Sequence, residues 1–208
     1  MVIASLFALA GFLWPLIATA VPKDAQAAVP VLALALVPVA VVALALTVDR
    51  QMHSATTVAL LGMLTAVGAA VRIAGTGVGG LEAVFIVLIL SGRAFGARFG
   101  FLLGMLVISL SSVLWGGIGP WTPFQIFACG WVGAGAGLLP RITARSQRRA
   151  ARLEVLMLMG YGILASYAFG LIMNLWFWPF AVGAGSDISY SAGAPLGQNL
   201  ASFGLYSL

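Results

Sequence analysis

The sequence predicts an all-α, polytopic membrane helical bundle, and three observations carry that expectation. Hydrophobic residues make up 62% of the 208 positions and charged residues only 7%, whereas a water-soluble domain carries about 25% charged residues. Several uncharged stretches reach the roughly 20 apolar residues that a helix needs to cross about 30 Å of hydrocarbon. No run of like charge is long enough to solvate a tail, so the composition suits neither a disordered chain nor a collagen.

The elements follow in chain order. Residues 1–21 form a first span, closed by Val21-Pro22-Lys23-Asp24. A secretory leader is the competing reading, since Ala18-Thr19-Ala20 resembles a cleavage site. No Lys or Arg precedes the apolar run, and the run exceeds the roughly 7 to 15 residues of a leader core, which favours a retained helix. A second span, 27–48, ends at Asp49-Arg50, and a third covers 56–73 with Arg72 at its far end, able to snorkel to the interface. The glycine-rich segment Gly75-Thr76-Gly77-Val78-Gly79-Gly80 is a turn, followed by a short helix over 81–91. Helices over 99–115 and 122–139 are separated by Gly116-Gly117-Ile118-Gly119-Pro120. A basic stretch, 141–152, precedes an apolar run over 155–180, and a last helix starts at Leu196.

Charge sets the expected orientation. The net charge of +5 reads as loop charge of a membrane protein, and no nucleic-acid partner is expected. With a cytoplasmic N-terminus and one crossing per segment, Arg50, Arg93, Arg98, Arg141, Arg145, Arg148, Arg149 and Arg152 fall inside. Only Lys23 and Arg72 fall outside, which is the bias expected of a multi-pass cell-membrane protein. Loops 74–80, 116–121 and 183–195, rich in Gly, Pro, Trp and Ser, then face outward.

Few residues offer covalent chemistry. The single histidine, His53, lies beside Asp49 and Arg50, and the single cysteine, Cys129, has no partner for a disulfide or a metal cluster. No H-E-x-x-H, paired aspartates or G-x-S-x-G is present, so neither an enzyme nor a cofactor or metal site is expected. Thr122-Pro123-Phe124-Gln125 reads as a capping box, with Thr122 as N-cap and Gln125 at N3. Trp115, Trp121 and Gln125 are also candidates for ligand contact, offering apolar faces with donors and acceptors, while headgroup anchoring competes for each Trp. Asn174, a polar amide within an apolar run, serves either as interhelical glue or as a ligand contact. Glu82 either favours its helix N-terminus, contacts substrate, or pairs with Arg72; the pair is the preferred reading. Ala59, Gly62, Ala66 and Ala70 fall on one helical face, suited to close packing either within the chain or on a partner.

An ordered set of motifs then carries a family resemblance. Arg72, Ser91-Gly92-Arg93-Ala94-Phe95-Gly96-Ala97-Arg98-Phe99-Gly100-Phe101, and Gly117-Ile118-Gly119-Pro120-Trp121-Thr122-Pro123-Phe124-Gln125 resemble the substrate-binding S components of energy-coupling factor (ECF) vitamin transporters. The likeness is to the actinobacterial group with a G-P-W-x-P-[FW]-Q signature, often assigned to cobalamin. Asn174-Leu175-Trp176-Phe177-Trp178-Pro179-Phe180 and Ala194-Pro195 also fit. It covers residues 56–208, leaving 1–55 as a two-helix membrane extension.

The resemblance implies a six-helix core that binds a micronutrient, cobalamin or another corrinoid, near the outer face. It implies partners too: a transmembrane coupling protein carrying two cytoplasmic ATPases, with Ala59, Gly62, Ala66 and Ala70 as the docking face. No G-x-x-x-x-G-K-[ST] occurs, consistent with ATP hydrolysis by the partners. Arg72, Glu82, Trp115, Trp121, Gln125, Asn174 and Trp178 are the expected ligand residues. The sixth core helix, starting at Leu196 and ending at Leu208, has about 13 residues, roughly 20 Å, and is expected to be truncated. A non-catalytic membrane scaffold and a stand-alone permease are the alternatives. Aromatic loops favour capture over a scaffold, and the lack of Asp, Glu or Lys in the middle of most spans argues against a proton-driven permease.

Overall fold

The computed structural model describes residues 2–20, 31, 32, 35, 38, 42, 54–75, 83–115, 117–143, 146–181, 186–191 and 193–207. Among these residues it is all-helical, with α1 Val2–Phe12, α2 Trp14–Ala20, α3 Ala55–Gly75, α4 Val84–Phe95, α5 Ala97–Trp115, α6 Thr122–Leu138, α7 Gln147–Ala181 and α8 Leu196–Tyr206. Three of them, α3, α5 and α7, are long and apolar enough to cross a membrane. The expected span 27–48 falls largely outside the described residues, as do His53 and Glu82.

The expected first span is broken at Leu13 into α1 and α2. Pro15 has no N–H to donate to the carbonyl of Gly11 four residues back, so the ladder loses a bond there. At the other end of the sequence α7 starts eight residues before the apolar run, at Gln147. Gln-Arg-Arg-Ala-Ala-Arg-Leu-Glu is built from strong helix formers, so the charges end the apolar stretch without ending the helix.

Two compact units divide the chain: Met1–Gln51 with Gly170–Leu208, and Met52–Phe169. In the first, Trp14 packs against Phe180 and Tyr190, with ring centroids 5.6 and 5.9 Å apart. Trp178 is fully buried against Tyr190 and Phe203, and its indole N–H donates to the Ile188 carbonyl at 2.6 Å. Asn199 is also buried. It fastens the same loop twice, accepting from the Ser191 N–H at 3.1 Å and donating to the Ser191 carbonyl at 2.7 Å.

In the second unit, helices meet through glycine. A Cβ at Gly100 would collide with the Gly133 carbonyl and come within 2.7 Å of Gly92 Cα; one at Gly104 would strike the Cys129 carbonyl; one at Gly137 would run into the Ala97 amide. The pairs 97/137, 100/133 and 104/129 run in opposite directions, so α5 and α6 are antiparallel with backbones nearly touching. Absent side chains make that approach possible, and such closeness is the usual means of association where no hydrophobic force acts between helices. Gly96, at φ 93°, forms the one-residue corner between α4 and α5, a left-handed conformation that favours glycine. The Ser-Gly-Arg-Ala-Phe-Gly-Ala-Arg-Phe-Gly motif is thus, structurally, a corner and a backbone contact surface.

α3 lies parallel to α5: Val107 presses on Gly68, and Arg72 bonds Ser111, both at a separation of 39 residues. The face of α3 turned inward carries Leu61, Thr65, Gly68 and Ala69. Ala59, Gly62, Ala66 and Ala70 are all exposed, and nothing lies within 4 Å of a Cβ built at Gly62. Among the described residues, nothing in the chain packs on that stripe.

Candidate functional site

The parallel and antiparallel pairings give the second unit two ends of different chemistry. At one end stand the last turn of α3, the last turn of α5, and the first turn of α6. Arg72 donates from Nη1 to Ser111 Oγ at 3.0 Å and from Nη2 to Gln125 Oε1 at 3.3 Å. Ser111 is fully buried and passes its own proton to the Ile108 carbonyl at 3.2 Å, leaving its oxygen free to accept from Arg72. Three helices are thereby tied by one guanidinium. Its partners among the described residues are both uncharged, so the positive charge is held in place by groups that do not neutralise it. The Ser112 hydroxyl, one residue further, is buried without a hydrogen-bond partner among the described residues.

Two tryptophans border this cluster. Trp115 ends α5 at 62% exposure, and Trp121 precedes α6 at 41%. A Cβ at Gly119 would come within 2.5 Å of the Trp121 ring, so glycine at 119 lets the indole lie against the loop. The expected capping box does not form. The residue before α6 is Trp121, with no side-chain cap, and the Thr122 oxygen instead accepts from the Gly119 N–H at 2.9 Å while its hydroxyl reaches the Gly117 carbonyl at 3.4 Å. A loop amide three residues back is the nearer partner, and Gln125, with its carbonyl given to Arg72, does not reach back to the helix start.

The structure brings together Arg72 and Gln125 and sets Trp115 and Trp121 at the same end. Glu82, the expected partner of Arg72, lies outside the described residues. Asn174, half-buried, and Trp178 belong to the first unit; the Trp178 indole is consumed by Ile188, Tyr190 and Phe203, which leaves it no free face. Ser111 was not foreseen: a serine in an apolar helix is a weak signal until its distance of 39 residues from Arg72 is seen to be a parallel helix register. No protein-family model, curated protein or solved structure matches this chain.

At the opposite end Arg93 forms a second junction that sequence reasoning missed. Its Nε and Nη2 donate to the two carboxylate oxygens of Glu154 at 2.5 and 3.0 Å. Nη1 and Nη2 also donate to the carbonyls of Leu139 and Pro140 at 2.6 and 3.0 Å. One side chain thus closes the end of α6, whose last carbonyls have no helical donors, and binds it to α4 and α7. Tyr161, donating to the Val132 carbonyl at 2.6 Å, and the edge contact of Phe85 with Phe169 at 5.3 Å hold α7 further along. A signal was available: Glu154 is the sole acid between residues 83 and 186.

Proposed function

We propose that this protein is the substrate-binding membrane subunit of an ECF-type importer, capturing a micronutrient at the Arg72 end for ATP-driven uptake by partner subunits. The observation that carries the reading is the Arg72 guanidinium, held by Ser111 and Gln125 and bordered by exposed Trp115 and Trp121. A ligand rich in amide and phosphate acceptors, as cobalamin and other corrinoids are, would meet donors from Arg72 and Gln125 and apolar faces from the tryptophans. In this reading the chain is a non-catalytic, multi-pass protein of the cell membrane. Its N-terminus is cytoplasmic, the Arg72 end faces outward, and the Arg93 end faces the cytoplasm. The uncovered stripe Ala59, Gly62, Ala66 and Ala70 is the docking face for the transmembrane coupling protein, which carries the two ATPases.

That same uncovered stripe favours a second reading, a membrane scaffold that binds a partner but no small molecule. Titration of the purified protein with cobalamin separates the two. Saturable binding weakened by Trp121→Ala and Gln125→Ala supports capture. Partner association without binding of cobalamin or any corrinoid supports the scaffold.

A further inference from the structure

The Arg93 end carries an excess of charge that nothing among the described residues balances. Residues 83–186 contain Arg93, Arg98, Arg141, Arg145, Arg148, Arg149 and Arg152 against a single acid, Glu154. Both oxygens of that acid are taken by Arg93. Arg98, Arg141, Arg148, Arg149 and Arg152 are exposed. Three of them occupy the first two turns of α7, where no acid stands in the first turn and the helix dipole disfavours positive charge. Arg152 is also four residues from Arg148 and three from Arg149, so like charges face each other on one side of the helix. These charges therefore subtract from the helical stability that the residues' intrinsic propensities supply.

We propose that the Arg93 end binds anionic phospholipid headgroups through Arg148, Arg149 and Arg152, with Arg98 and Arg141 at the same level, and that the bound anions stabilise the first turns of α7. A headgroup phosphate among the three guanidinium groups attracts each of them and so offsets those repulsions. The surroundings favour a lipid over a soluble acidic partner. Exposed Leu153, Val155 and Leu156 begin within one turn of the arginines, and exposed Phe95 and Leu138 end α4 and α6 at the same level, so guanidinium and bare apolar groups alternate as they do at a bilayer boundary. Length agrees. The 35 residues of α7 extend about 52 Å, against roughly 30 Å of hydrocarbon, which leaves the basic turns at headgroup depth. The inference rests on the membrane reading and is independent of transport.

The test is hydrogen exchange on the full chain in nanodiscs of phosphatidylcholine alone or with 30% phosphatidylglycerol, both leaflets alike so that orientation does not matter. Amides of 150–155 are read, because Ala150 already donates to the Ser146 carbonyl at 3.0 Å and the amides after it donate within the helix. One basic residue near an anionic surface is worth about fivefold, so exchange should slow by roughly tenfold or more with phosphatidylglycerol. The R148Q/R149Q/R152Q variant should lose that difference. Equal exchange in the two discs for the wild-type chain overturns the proposal without recourse to any variant, as does slowing that persists in the triple variant. Equal slowing by inorganic phosphate or polyglutamate in phosphatidylcholine discs assigns the site to soluble anions and overturns the lipid assignment. A chain that enters neither disc overturns the membrane reading and this inference with it.

Discussion

Replacing Arg93 by alanine removes four hydrogen bonds at once, and its effect can be worked from their geometry. The two bonds to Glu154 join side chains only 16% and 29% exposed. Bonds to charged groups contribute about 1.5 to 3 kcal/mol, and partial solvent access places this pair near the lower figure. The bond to the Leu139 carbonyl is part-buried and that to Pro140 exposed, and the two add about 1 kcal/mol together. Arg93→Ala should therefore destabilise the fold by about 2.5 to 3 kcal/mol, and Glu154→Ala by about 1.5 to 2 kcal/mol. The double variant should be no worse than Arg93→Ala alone, a coupling of about 1.5 to 2 kcal/mol by equilibrium unfolding in mild detergent. Arg93→Lys should recover only part of the loss, because a single ammonium cannot span both carboxylate oxygens and both carbonyls. Single-variant losses that add to within about 0.5 kcal/mol would refute the clamp.

Gly133→Ala forces a methyl group into the Gly100 backbone and should cost about 1 to 3 kcal/mol. Gly160→Ala, with nothing within 4 Å, should be neutral or stabilising by up to about 1 kcal/mol, and the same unfolding assay compares them. Trp121→Ala and Gln125→Ala should each weaken the proposed corrinoid binding by about 1 to 3 kcal/mol, roughly five- to 150-fold by calorimetric titration; unchanged affinity in both moves the ligand elsewhere. Ala66→Leu and Ala70→Leu, at exposed positions, should leave stability within about 0.5 kcal/mol and abolish co-purification with the proposed coupling protein. Retained association sends docking to another surface. A cysteine placed at Arg148 should react with an impermeant reagent only from the cytoplasmic side, and labelling of intact cells would reverse the orientation.

Helices α3 to α6 were legible because apolar runs are bounded by glycine and proline, and their ends lie within a few residues of those expected. α7 was legible only in its apolar part, since a hydropathy reading stops at arginines that a helix tolerates. The Thr122 cap misled for a different reason: a hydroxyl chooses among acceptors and donors by distance, and Gly119 becomes near only once the loop has folded. Small residues posed a harder problem. Alanine and glycine mark both a uniform exposed stripe on α3 and the buried contacts of α5 and α6, and periodicity cannot say which face is covered. Arg72 with Gln125 could be named as site residues but not joined, because the parallel register of α3 on α5 is a tertiary fact. Glu154 is an isolated acid that the sequence reading passed over, and its partner lies 61 residues away.

The glycine contacts of α4, α5 and α6 also bear on entropy. A leucine pressed into a helix interface surrenders about 0.5 to 1 kcal/mol of rotamer freedom, and a glycine surrenders none. Its usual penalty, about 1 kcal/mol relative to alanine, belongs to forming the helix. In the membrane reading, a peptide group left unpaired in hydrocarbon costs several kcal/mol, so the helix is already formed when it meets its neighbours and that penalty lies outside the association step. Bringing Gly92, Gly100 and Gly133 together then orders almost nothing. Warming, which weakens every contact that depends on frozen side chains, should loosen the Gly68–Val107 seam of α3 while this glycine junction holds.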